Sequence, residues 1–397
     1  MKVLLINVVC GIKSTGRICT DIAKELHKQG HEVKVAYGRG EVPNEFKKIS
    51  HRIGSDVDIY IHATKSRLFD SSGFESKRVT ERFINWIEEY NPDIIHLHNL
   101  HGYYINIEIL FNYLKQSNKR IIWTLHDSWP FTGHTPYCDS IGCTKWIGGC
   151  YECPLIKEYP KSLIDKSDRN WKKKRDVLTN ISNMTIVTPS RWLSDCVKRS
   201  FLKSYPLLVI NNGIDTEKFY PRENRFKSKY SIEDKVMLLG VATSWDNNKG
   251  LFDYIELSKL LSDKYKIVLV GLTKKQISIL PKNILGIERT DSVEELSEIY
   301  TASDLFLNFS YCENYPTVNI ESMACGTPVL TYNTGGSPEI VNKYGGIVVN
   351  KGDIHEAFKK IINPPIELSN NSFNRLENDN KYVITKYLEL YSSIKKI

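Results

Sequence analysis

Several protein classes are excluded by what this 397-residue chain lacks. No stretch approaches the roughly 20 consecutive apolar residues that a membrane-spanning helix needs. There is no arginine-rich block and no nucleic-acid-binding motif, so nucleic acid is not an expected partner. The apolar N-terminal stretch is short, is interrupted by Asn7 and has no small-residue cleavage site after it, so it predicts a buried strand rather than a secretion signal. These absences predict a globular protein in the cytoplasm.

The composition leaves room for more than one domain and for an anionic partner. The length suits two or three domains, and the hydrophobic content of 41% is ordinary for a globular protein. The net charge of +8 suits an anion such as a sugar nucleotide or a lipid headgroup surface. Plain solubility explains the same charge equally well.

Short apolar runs alternate with amphipathic stretches along the chain. Helices are predicted over 18–30 and 78–90. The strands are predicted over 2–9, 31–37, 93–98, 120–125, 185–188, 207–210, 236–241, 267–270, 304–308 and 328–332. Such alternation predicts an α/β protein with parallel sheets, and two series of this length predict two doubly wound Rossmann-like domains. Their ligand is expected beyond the carboxyl ends of the strands, in a cleft between the domains.

A polar, turn-rich stretch over 204–225 predicts the domain boundary. The first domain is expected over 1–205 and the second over 206–379. The tail over 380–397 predicts a helix, because apolar residues such as Ile384, Tyr387 and Leu388 recur at helical spacing.

Two glutamates, Glu313 and Glu321, stand with seven residues between them in SYCENYPTVNIESMACGTPVL. Glu313 is expected in an exposed polar loop and Glu321 in a short helix that has Pro316 at its first position and ends at Gly326. A helix that starts after a strand and a loop presents free N–H groups to an anion. An amphipathic helix with a solvated glutamate and a turn is the alternative interpretation.

The neighbouring sequence favours the functional interpretation. Together with IERTDSVEELSEIYTASDLFLNFS before it and ACGTPVLTYNTGGSPEIV after it, the segment resembles the donor-binding segment of the retaining glycosyltransferases of family four. These are the group 1 sugar transferases, which have the GT-B fold. The resemblance implies two Rossmann-like domains that face each other across a cleft, with the final helix returning to the first domain. It also implies a nucleoside-diphosphate sugar as the donor and no metal requirement for catalysis.

Within this segment the resemblance assigns roles to individual residues. Glu313 is a catalytic residue that contacts the donor sugar, Glu321 holds the ribose, and the start of the helix receives the diphosphate. The further donor-binding residues at this helix start are Asn314, Tyr315, Pro316 and Thr317.

Two other segments carry expected donor contacts. Lys249, after GVATSWDNN, resembles the family's cation for the leaving diphosphate, and Asn248 beside it stands where relatives often carry arginine. The loop CGIKSTGR over 10–17 is not a G-x-G-x-x-G motif, so it does not predict dinucleotide binding. Its STGRI sequence resembles the family's first loop against the donor phosphates. This resemblance makes Gly11, Gly16 and Arg17 donor-binding candidates. Arg17 would supply part of the positive charge that relatives with an arginine near Lys249 offer to the diphosphate.

Histidines and aromatic residues mark the expected acceptor side. His126 and Asp127 directly follow a predicted strand, and a histidine at this place faces the donor sugar in the family. We therefore expect His126 to be catalytic and Asp127 to lie on the acceptor side. Tyr103 and Tyr104 are candidates for stacking on an acceptor sugar, with core tyrosines as the alternative.

Four of the nine cysteines are clustered in the sequence. They are Cys138, Cys143, Cys150 and Cys153. This spacing suits a structural zinc site, and free buried thiols are the alternative. The surrounding sequence HDSWPFTGH…KWIGGCYECPLIKEYPKS resembles a capsule- and exopolysaccharide-forming subgroup of the family.

The function implied by the resemblance is transfer of a hexose-type sugar to a glycan acceptor or a polyprenyl-linked saccharide. The basic run over 171–175 predicts either a solvated helix face or a contact with anionic lipid at the cytoplasmic face of a membrane. Two alternatives to transfer remain open. They are a nucleotide-sugar epimerase of the same architecture and an inactive sugar-nucleotide-binding subunit.

Overall fold

The computed structural model describes residues 1–364 and 373–393. The chain divides into two compact units. The first comprises 1–138, 142–210 and the segment from 384 onward, and the second comprises 139–141 and 211–383. The main division between the units falls between Ile210 and Asn211. The sequence predicted this boundary five residues earlier, between residues 205 and 206.

The first unit is built on a parallel sheet of seven strands among the described residues. The strands are β1 (Lys2–Asn7), β2 (Glu32–Tyr37), β3 (Ser50–Arg52), β4 (Ile94–Leu97), β5 (Arg120–Thr124), β6 (Met184–Thr188) and β7 (Leu207–Val209). Their order in the sheet is β3-β2-β1-β4-β5-β6-β7. The helices are α1 (Lys13–Lys28), α2 (Asp56–Phe69), α3 (Lys77–Tyr90), α4 (Ile107–Gln116), α5 (Ser167–Leu178) and α6 (Arg191–Arg199).

The second unit repeats this plan with six strands among the described residues. The strands are β8 (Val236–Val241), β9 (Tyr265–Val270), β10 (Ile284–Ile287), β11 (Leu305–Asn308), β12 (Val329–Tyr332) and β13 (Ile347–Val349), in the order β10-β9-β8-β11-β12-β13. The helices are α7 (Phe226–Lys229), α8 (Leu251–Leu260), α9 (Lys274–Ile277), α10 (Val293–Ala302), α11 (Thr317–Ala324), α12 (Ser337–Tyr344), α13 (Ile354–Ile362) and α14 (Arg375–Asn378).

The central strands are apolar throughout because both faces of each sheet are covered. Residues 3–6 of β1 are fully buried. In the second unit, Leu239 and Phe306 belong to one core cluster, while Leu238 and Leu307 belong to another. Neighbouring strand residues point to opposite faces, so these clusters are the two buried faces of one sheet. The prediction of two doubly wound Rossmann-like units is confirmed.

The differences from the predicted elements lie at the sheet edges and at one helix. All ten predicted strands are present, whereas β3, β10 and β13 were missed. These three are edge strands of three or four residues; β3 contains no apolar residue, and the short apolar runs of β10 and β13 contain or follow glycine. Helix α1 begins at Lys13 rather than at residue 18, so Gly16 and Arg17 lie in its first turns and not in a loop.

The last helix, α15 (Asn380–Ser393), links the second unit to the first. Its residues from 384 onward belong to the first unit, where Tyr391 Oη lies 2.6 Å from His96 Nδ1. The end of the predicted tail, over 394–397, and residues 365–372 lie outside the described residues. Of the helices that the structure describes, none is both long and apolar enough to cross a membrane.

Candidate functional site

The first candidate site lies at a switch point of the second sheet. Strand β8 stands next to β11, and the later strands on either side extend outward in opposite directions. Loops that leave two such strands at their carboxyl ends diverge, and parallel sheets commonly bind ligands in the resulting crevice. Lys249 follows β8 and Glu313 follows β11. The topology therefore brings together two residues that are 64 positions apart in the sequence.

Lys249 and Glu313 form an ion pair within this site. Lys249 Nζ donates to Oε1 of Glu313, and the two side chains are 33% and 13% exposed. Burial alone would lower the pKa of Lys249, but the Glu313 carboxylate and then Asp246 raise it above its ordinary value. The lysine is therefore held as a cation. The expectation of an exposed loop around Glu313 was wrong, because its carboxylate turns inward to this partner.

The loop that carries Glu313 is fixed by a close backbone approach. The amide of Gly336 donates to the carbonyl oxygen of Asn314 over 2.9 Å. Gly335 has a φ of +52°, and a Cβ at this position would lie only 1.5 Å from the carbonyl oxygen of Glu313. Position 335 therefore admits only glycine in this arrangement.

Asn248 and Tyr315 contribute backbone atoms to the same region. The carbonyl of Asn248 accepts a hydrogen bond from the amide of Tyr311 over 2.8 Å. The carbonyl of Tyr315 accepts one from Asn212 Nδ2 over 3.0 Å, and the Tyr315 side chain is buried. Both predicted donor-binding residues thus lie beside the ion pair, where their backbone contacts hold the loops in place.

Helix α11 starts beside the loop and carries Glu321. Pro316 is its N-cap residue, so the helix begins one residue later than predicted, at Thr317. Glu321 Oε2 accepts a hydrogen bond from Tyr300 Oη over 3.1 Å. Burial raises the pKa of Tyr300 well above its ordinary value, and the charge of Glu321 raises it further. The phenol is therefore a permanent donor that orients this carboxylate.

The second candidate site lies at the switch point of the first sheet, between β1 and β4. Gly11 follows β1 with a φ of +71°, and Gly16 faces it from α1. A Cβ at Gly16 would lie 3.2 Å from the amide nitrogen of Gly11. The two glycines thus let α1 approach the end of β1 closely. Arg17 is exposed, and its assignment to the diphosphate stays a prediction.

Three neighbouring histidines lie in β4 or just after β4 and β5. His98 Nδ1 lies 3.0 Å from His126 Nε2, and the rings of His96 and His98 are 4.1 Å apart. His96 Nε2 also lies 2.8 Å from Thr124 Oγ1. Within the described residues, Nε2 of His98 is buried without a hydrogen-bond partner. The predicted catalytic residue His126 is therefore positioned by His98, which the sequence did not single out for this role.

These histidines are neutral in the folded protein. Burial lowers the pKa of His96 to about 3 and that of His126 to about 4, and it lowers the pKa of His98 well below its ordinary value. A nearby charge on His126 would lower the pKa of His96 further. Near neutral pH the cluster can therefore donate hydrogen bonds to hydroxyl groups or accept hydrogen bonds from them without carrying charge.

We expect the free energy of unfolding of the first unit to fall as the pH falls below about 6.5. The unfolded histidines bind protons there, whereas the folded ones do not until about pH 3 for His96 and about pH 4 for His126. Each histidine contributes a slope of up to about 1.4 kcal/mol per pH unit. Urea unfolding across this range measures the slope.

A histidine–aspartate pair stands beside this cluster. His101 Nε2 lies 2.8 Å from Asp127 Oδ2, and His101 Nδ1 lies 3.0 Å from Tyr159 Oη. The ring of Tyr103 lies 5.9 Å from that of Tyr159. Tyr104 is 1% exposed and lies in the core, so it takes the alternative role of a core tyrosine. Tyr159 is the polar partner that sequence reasoning did not assign, whereas a structural or acceptor-side role was open for His101.

Within the described residues, none of the four clustered cysteines forms a disulfide. Cys138 lies 3.3 Å from Ser128 Oγ, while Cys150 Sγ accepts from the amide of Gly133 over 3.2 Å. Burial raises the pKa of Cys150 to about 11 and that of Cys153 to about 12. Among residues 1–364 and 373–393, no three His, Cys, Asp or Glu side chains are arranged to hold a metal ion. Cys150 lies close enough to Cys143 and to Cys153 to interact with each electrostatically, and a structural zinc at the four cysteines stays a prediction.

The basic run over 171–175 is not a flat surface patch. Trp171 is buried, and its Nε1 donates to the carbonyl oxygen of Trp146. Lys174 is 1% exposed and donates to the carbonyl oxygen of Trp129 over 2.7 Å. Each of the other three cations contacts a carboxylate. Because Trp171 and Lys174 are buried, neither side chain can take part in the expected lipid contact through this run.

The two sites suit different chemistry. In the second unit, a held cation, a helix start and two carboxylates suit an anionic ligand that also carries hydroxyl groups. In the first unit, neutral histidines and an aspartate offer hydrogen bonds to hydroxyl groups without a strong charge.

Comparison with known proteins identifies the class to which both units belong. Residues 15–218 match the family model described as Glycosyltransferase Family 4, and residues 222–378 match the one described as Glycosyl transferases group 1. A protein of Escherichia coli K12 named as a colanic acid biosynthesis glycosyl transferase, WcaC, is 24% identical over 89% of this chain and 88% of its own length.

One further relative and one solved structure add detail. The N,N'-diacetylbacillosaminyl-diphospho-undecaprenol alpha-1,3-N-acetylgalactosaminyltransferase of Campylobacter jejuni is 26% identical over 49% of this chain and 56% of its own length. The crystal structure of Anabaena Alr3699/HepE in complex with UDP has a TM-score of 0.67 and 14% sequence identity, and it covers 99% of this chain and 100% of that one. With these matches and two doubly wound units, the chain belongs to glycosyltransferase family 4, the group 1 glycosyl transferases, and has the GT-B fold.

Proposed function

We propose that this glycosyltransferase moves a sugar from a nucleoside diphosphate to a glycan acceptor, with retention of the anomeric configuration. The observation that carries the proposal is the paired Lys249 and Glu313 beside the start of α11. The UDP complex of the structurally similar Anabaena protein supports a nucleotide-bound donor.

The donor roles follow from the chemistry of each group. Negative charge grows on the leaving diphosphate as the glycosidic bond breaks, and a fixed ammonium such as Lys249 stabilises it. The amide groups at the start of α11 favour the same anion. Glu321 accepts hydrogen bonds from the ribose hydroxyls, and Glu313 contacts the sugar.

When a donor binds, Lys249 must exchange part of its contact with Glu313 for the diphosphate. The Glu313 carboxylate is then available to the hydroxyl groups of the sugar. The pair thus keeps Lys249 charged and both side chains oriented in the absence of ligand, which limits the reorganisation needed on binding.

In the retaining reaction the leaving phosphate itself takes the proton of the attacking acceptor hydroxyl on the same face of the sugar. No protein nucleophile is then required. His126, neutral and positioned by His98, orients hydroxyl groups, and Asp127 with Tyr103 serves the acceptor side. The cationic and helix-start groups supply the charge stabilisation, so we propose that catalysis needs no metal.

The acceptor class is proposed from the relatives. One is named for colanic acid biosynthesis and another for a sugar linked to diphospho-undecaprenol. We propose a growing polysaccharide, linked to a polyprenyl diphosphate, as the acceptor of this chain. The enzyme would then work at the cytoplasmic face of a membrane, in peripheral contact with anionic lipid.

Glu321→Ala is expected to weaken the binding of the matching nucleoside diphosphate by about 10- to 100-fold, since a hydrogen bond to a charged group contributes about 1.5–3 kcal/mol. Calorimetry with UDP and GDP measures this loss. Tyr300→Phe is the control, because it removes the hydrogen bond to Glu321 but leaves the carboxylate. Unchanged affinity of Glu321→Ala for the nucleoside diphosphate would contradict the proposal that Glu321 binds the ribose. Interconversion of the donor sugar without any acceptor would instead indicate an epimerase.

A further inference from the structure

Helix α2 is inverted relative to an ordinary surface helix. Its outward residues include Val57, Tyr60 and Ile61, which are 67%, 74% and 48% exposed. Its inward residues His62 and Ser66 are polar, and each is 1% exposed. A surface helix of a globular protein normally buries its apolar stripe and exposes its polar one. Among the residues that the structure describes, nothing covers these apolar side chains on the outward face of α2.

The apolar surface continues beyond the helix. Leu68 and Phe69 at the end of α2 are 42% and 50% exposed, and Leu163 and Ile164 in a later loop are 69% and 41% exposed. The loop is tied to the helix because the amide of Leu163 donates to the carbonyl oxygen of Arg67 over 2.8 Å. We call this surface the α2 face, consisting of Val57, Tyr60, Ile61, Leu68, Phe69, Leu163 and Ile164.

Cations border the α2 face. Lys65 and Arg67 are exposed on the helix itself, and Lys166 Nζ lies 5.6 Å from the centre of the Phe69 ring. A groove of about 420 Å³ separates α2 from α3, and its wall contains Lys65, Lys77 and Arg78 together with two carboxylates. One of those carboxylates, that of Glu75, contacts Lys65, and the other belongs to the capping box of α2. The charge at the border is therefore net positive.

The inward side of α2 leads to the acceptor-side residues of the same unit. The rings of His62 and Tyr103 are 5.7 Å apart, and those of Tyr103 and Tyr159 are 5.9 Å apart. Tyr159 Oη in turn lies 3.0 Å from His101 Nδ1, and His101 contacts Asp127. The α2 face thus lies on the far side of the helix from the groups assigned to the acceptor.

We propose that the α2 face seats the enzyme on the surface of a membrane that contains anionic lipid. The inference rests on the proposed function in one respect, since a polyprenyl-linked acceptor is anchored in such a membrane. Apolar and aromatic side chains would enter the boundary between headgroups and acyl chains, and the bordering cations would contact lipid phosphates. The acceptor sugar would then be presented one helix away from His101 and Asp127.

The composition of the face favours a membrane over a protein partner. Tyr60 and Phe69 are side chains that commonly occupy a membrane interface, and long basic side chains at its edge keep their charges among the headgroups. Val57, Tyr60 and Ile61 lie on the same helix as the exposed Lys65 and Arg67, so apolar and cationic contacts with lipid can form side by side.

Binding to vesicles that contain no acceptor tests the proposal apart from catalysis. Co-sedimentation of the full chain with vesicles of equal parts phosphatidylglycerol and phosphatidylcholine is expected to be strong, and weak with phosphatidylcholine alone. The triple variant Leu68→Ser, Phe69→Ser, Leu163→Ser is expected to lower partitioning at least about tenfold. Arg67→Glu is expected to lower it roughly tenfold on the anionic vesicles only.

Matched controls lie on the second unit. Phe252 and Ile279 are 68% and 62% exposed there, and the double variant Phe252→Ser, Ile279→Ser is expected to bind vesicles as the parent does. Tyr60→Trp adds a local probe of depth, and its fluorescence is expected to be quenched by lipids with brominated acyl chains. These positions are exposed, so all variants should keep the parent's melting temperature.

The outcomes separate the two proposals. Transfer to a soluble acceptor glycan should be unchanged in the triple variant, whereas transfer to an acceptor embedded in vesicles should fall with partitioning. Equal vesicle binding by parent and triple variant would overturn the docking proposal and leave the proposed function standing. Loss of self-association in the triple variant, with vesicle binding retained, would identify a second copy of the chain as the occupant and equally overturn it. Failure of the parent to transfer sugar to any acceptor would count against the proposed function alone.

Discussion

Lys249→Met is expected to lower kcat/KM for the donor by roughly 100- to 1000-fold, the usual cost of removing one group that stabilises transition-state charge. Methionine keeps most of the length of the side chain and removes only the ammonium. The loss should appear mainly in kcat, because the negative charge on the diphosphate is greatest as it leaves. Steady-state kinetics with the matching sugar nucleotide measures both constants.

Two further variants show whether the charge of Lys249 is responsible. Lys249→Arg keeps a cation and should retain more activity than Lys249→Met. Lys259→Ala removes a lysine of α8 that is 60% exposed and pairs with Glu256, and it should leave the kinetics unchanged. If Lys249→Met kept the parent's kcat with a folded structure, the diphosphate would have to be stabilised by other groups.

Gly335→Ala is expected to destabilise the second unit by roughly 2–5 kcal/mol and to weaken donor binding strongly. The left-handed backbone costs an alanine about 1–2 kcal/mol, and overpacking adds about 1–3 kcal/mol. The larger effect on function arises because the new Cβ would lie 1.5 Å from the carbonyl oxygen of Glu313. The Glu313 loop must therefore move, and its contact with Lys249 is lost.

Gly326→Ala is the matched control for the free-energy cost of placing alanine in a left-handed backbone conformation. Its φ is +86°, but a Cβ there would meet only Pro221, at 3.5 Å. It should show the cost of the left-handed conformation without displacing Glu313. Urea unfolding and calorimetry on both variants separate the cost of the left-handed backbone from the effect of displacing the Glu313 loop. Equal donor affinity in the two variants would show that the position of the Glu313 loop does not matter for binding.

The fold was largely accessible from the sequence because its central strands are buried on both faces. Such strands appear as unbroken apolar runs, so β1 and β8 could be placed from composition alone. The edge strand β3 could not, because it is the tripeptide Ser50–Arg52 and contains no apolar residue. The start of α1 was misplaced since Gly16 suggests a loop, whereas it allows a helix to pack closely on the end of β1.

The candidate site was accessible only in part. The sequence indicated Lys249, Glu313 and Glu321 through a family resemblance, but not the ion pair between the first two. That pair depends on β8 and β11 being neighbours in the sheet, which strand order along the chain does not reveal. His101 and Tyr159 meet across 58 positions and carry no local signal. The inverted polarity of α2 becomes visible only when the burial of each residue is known.

The central claim is that the loop after β11, the start of α11 and Lys249 bind the nucleoside diphosphate. Calorimetric titration of the protein with UDP and with GDP, in buffer containing a chelator, tests it most directly. We predict that one of the two binds without added metal, and that Lys249→Met and Glu321→Ala each weaken that binding at least about tenfold. Binding of neither nucleotide, or binding that both variants leave unchanged, would contradict the account.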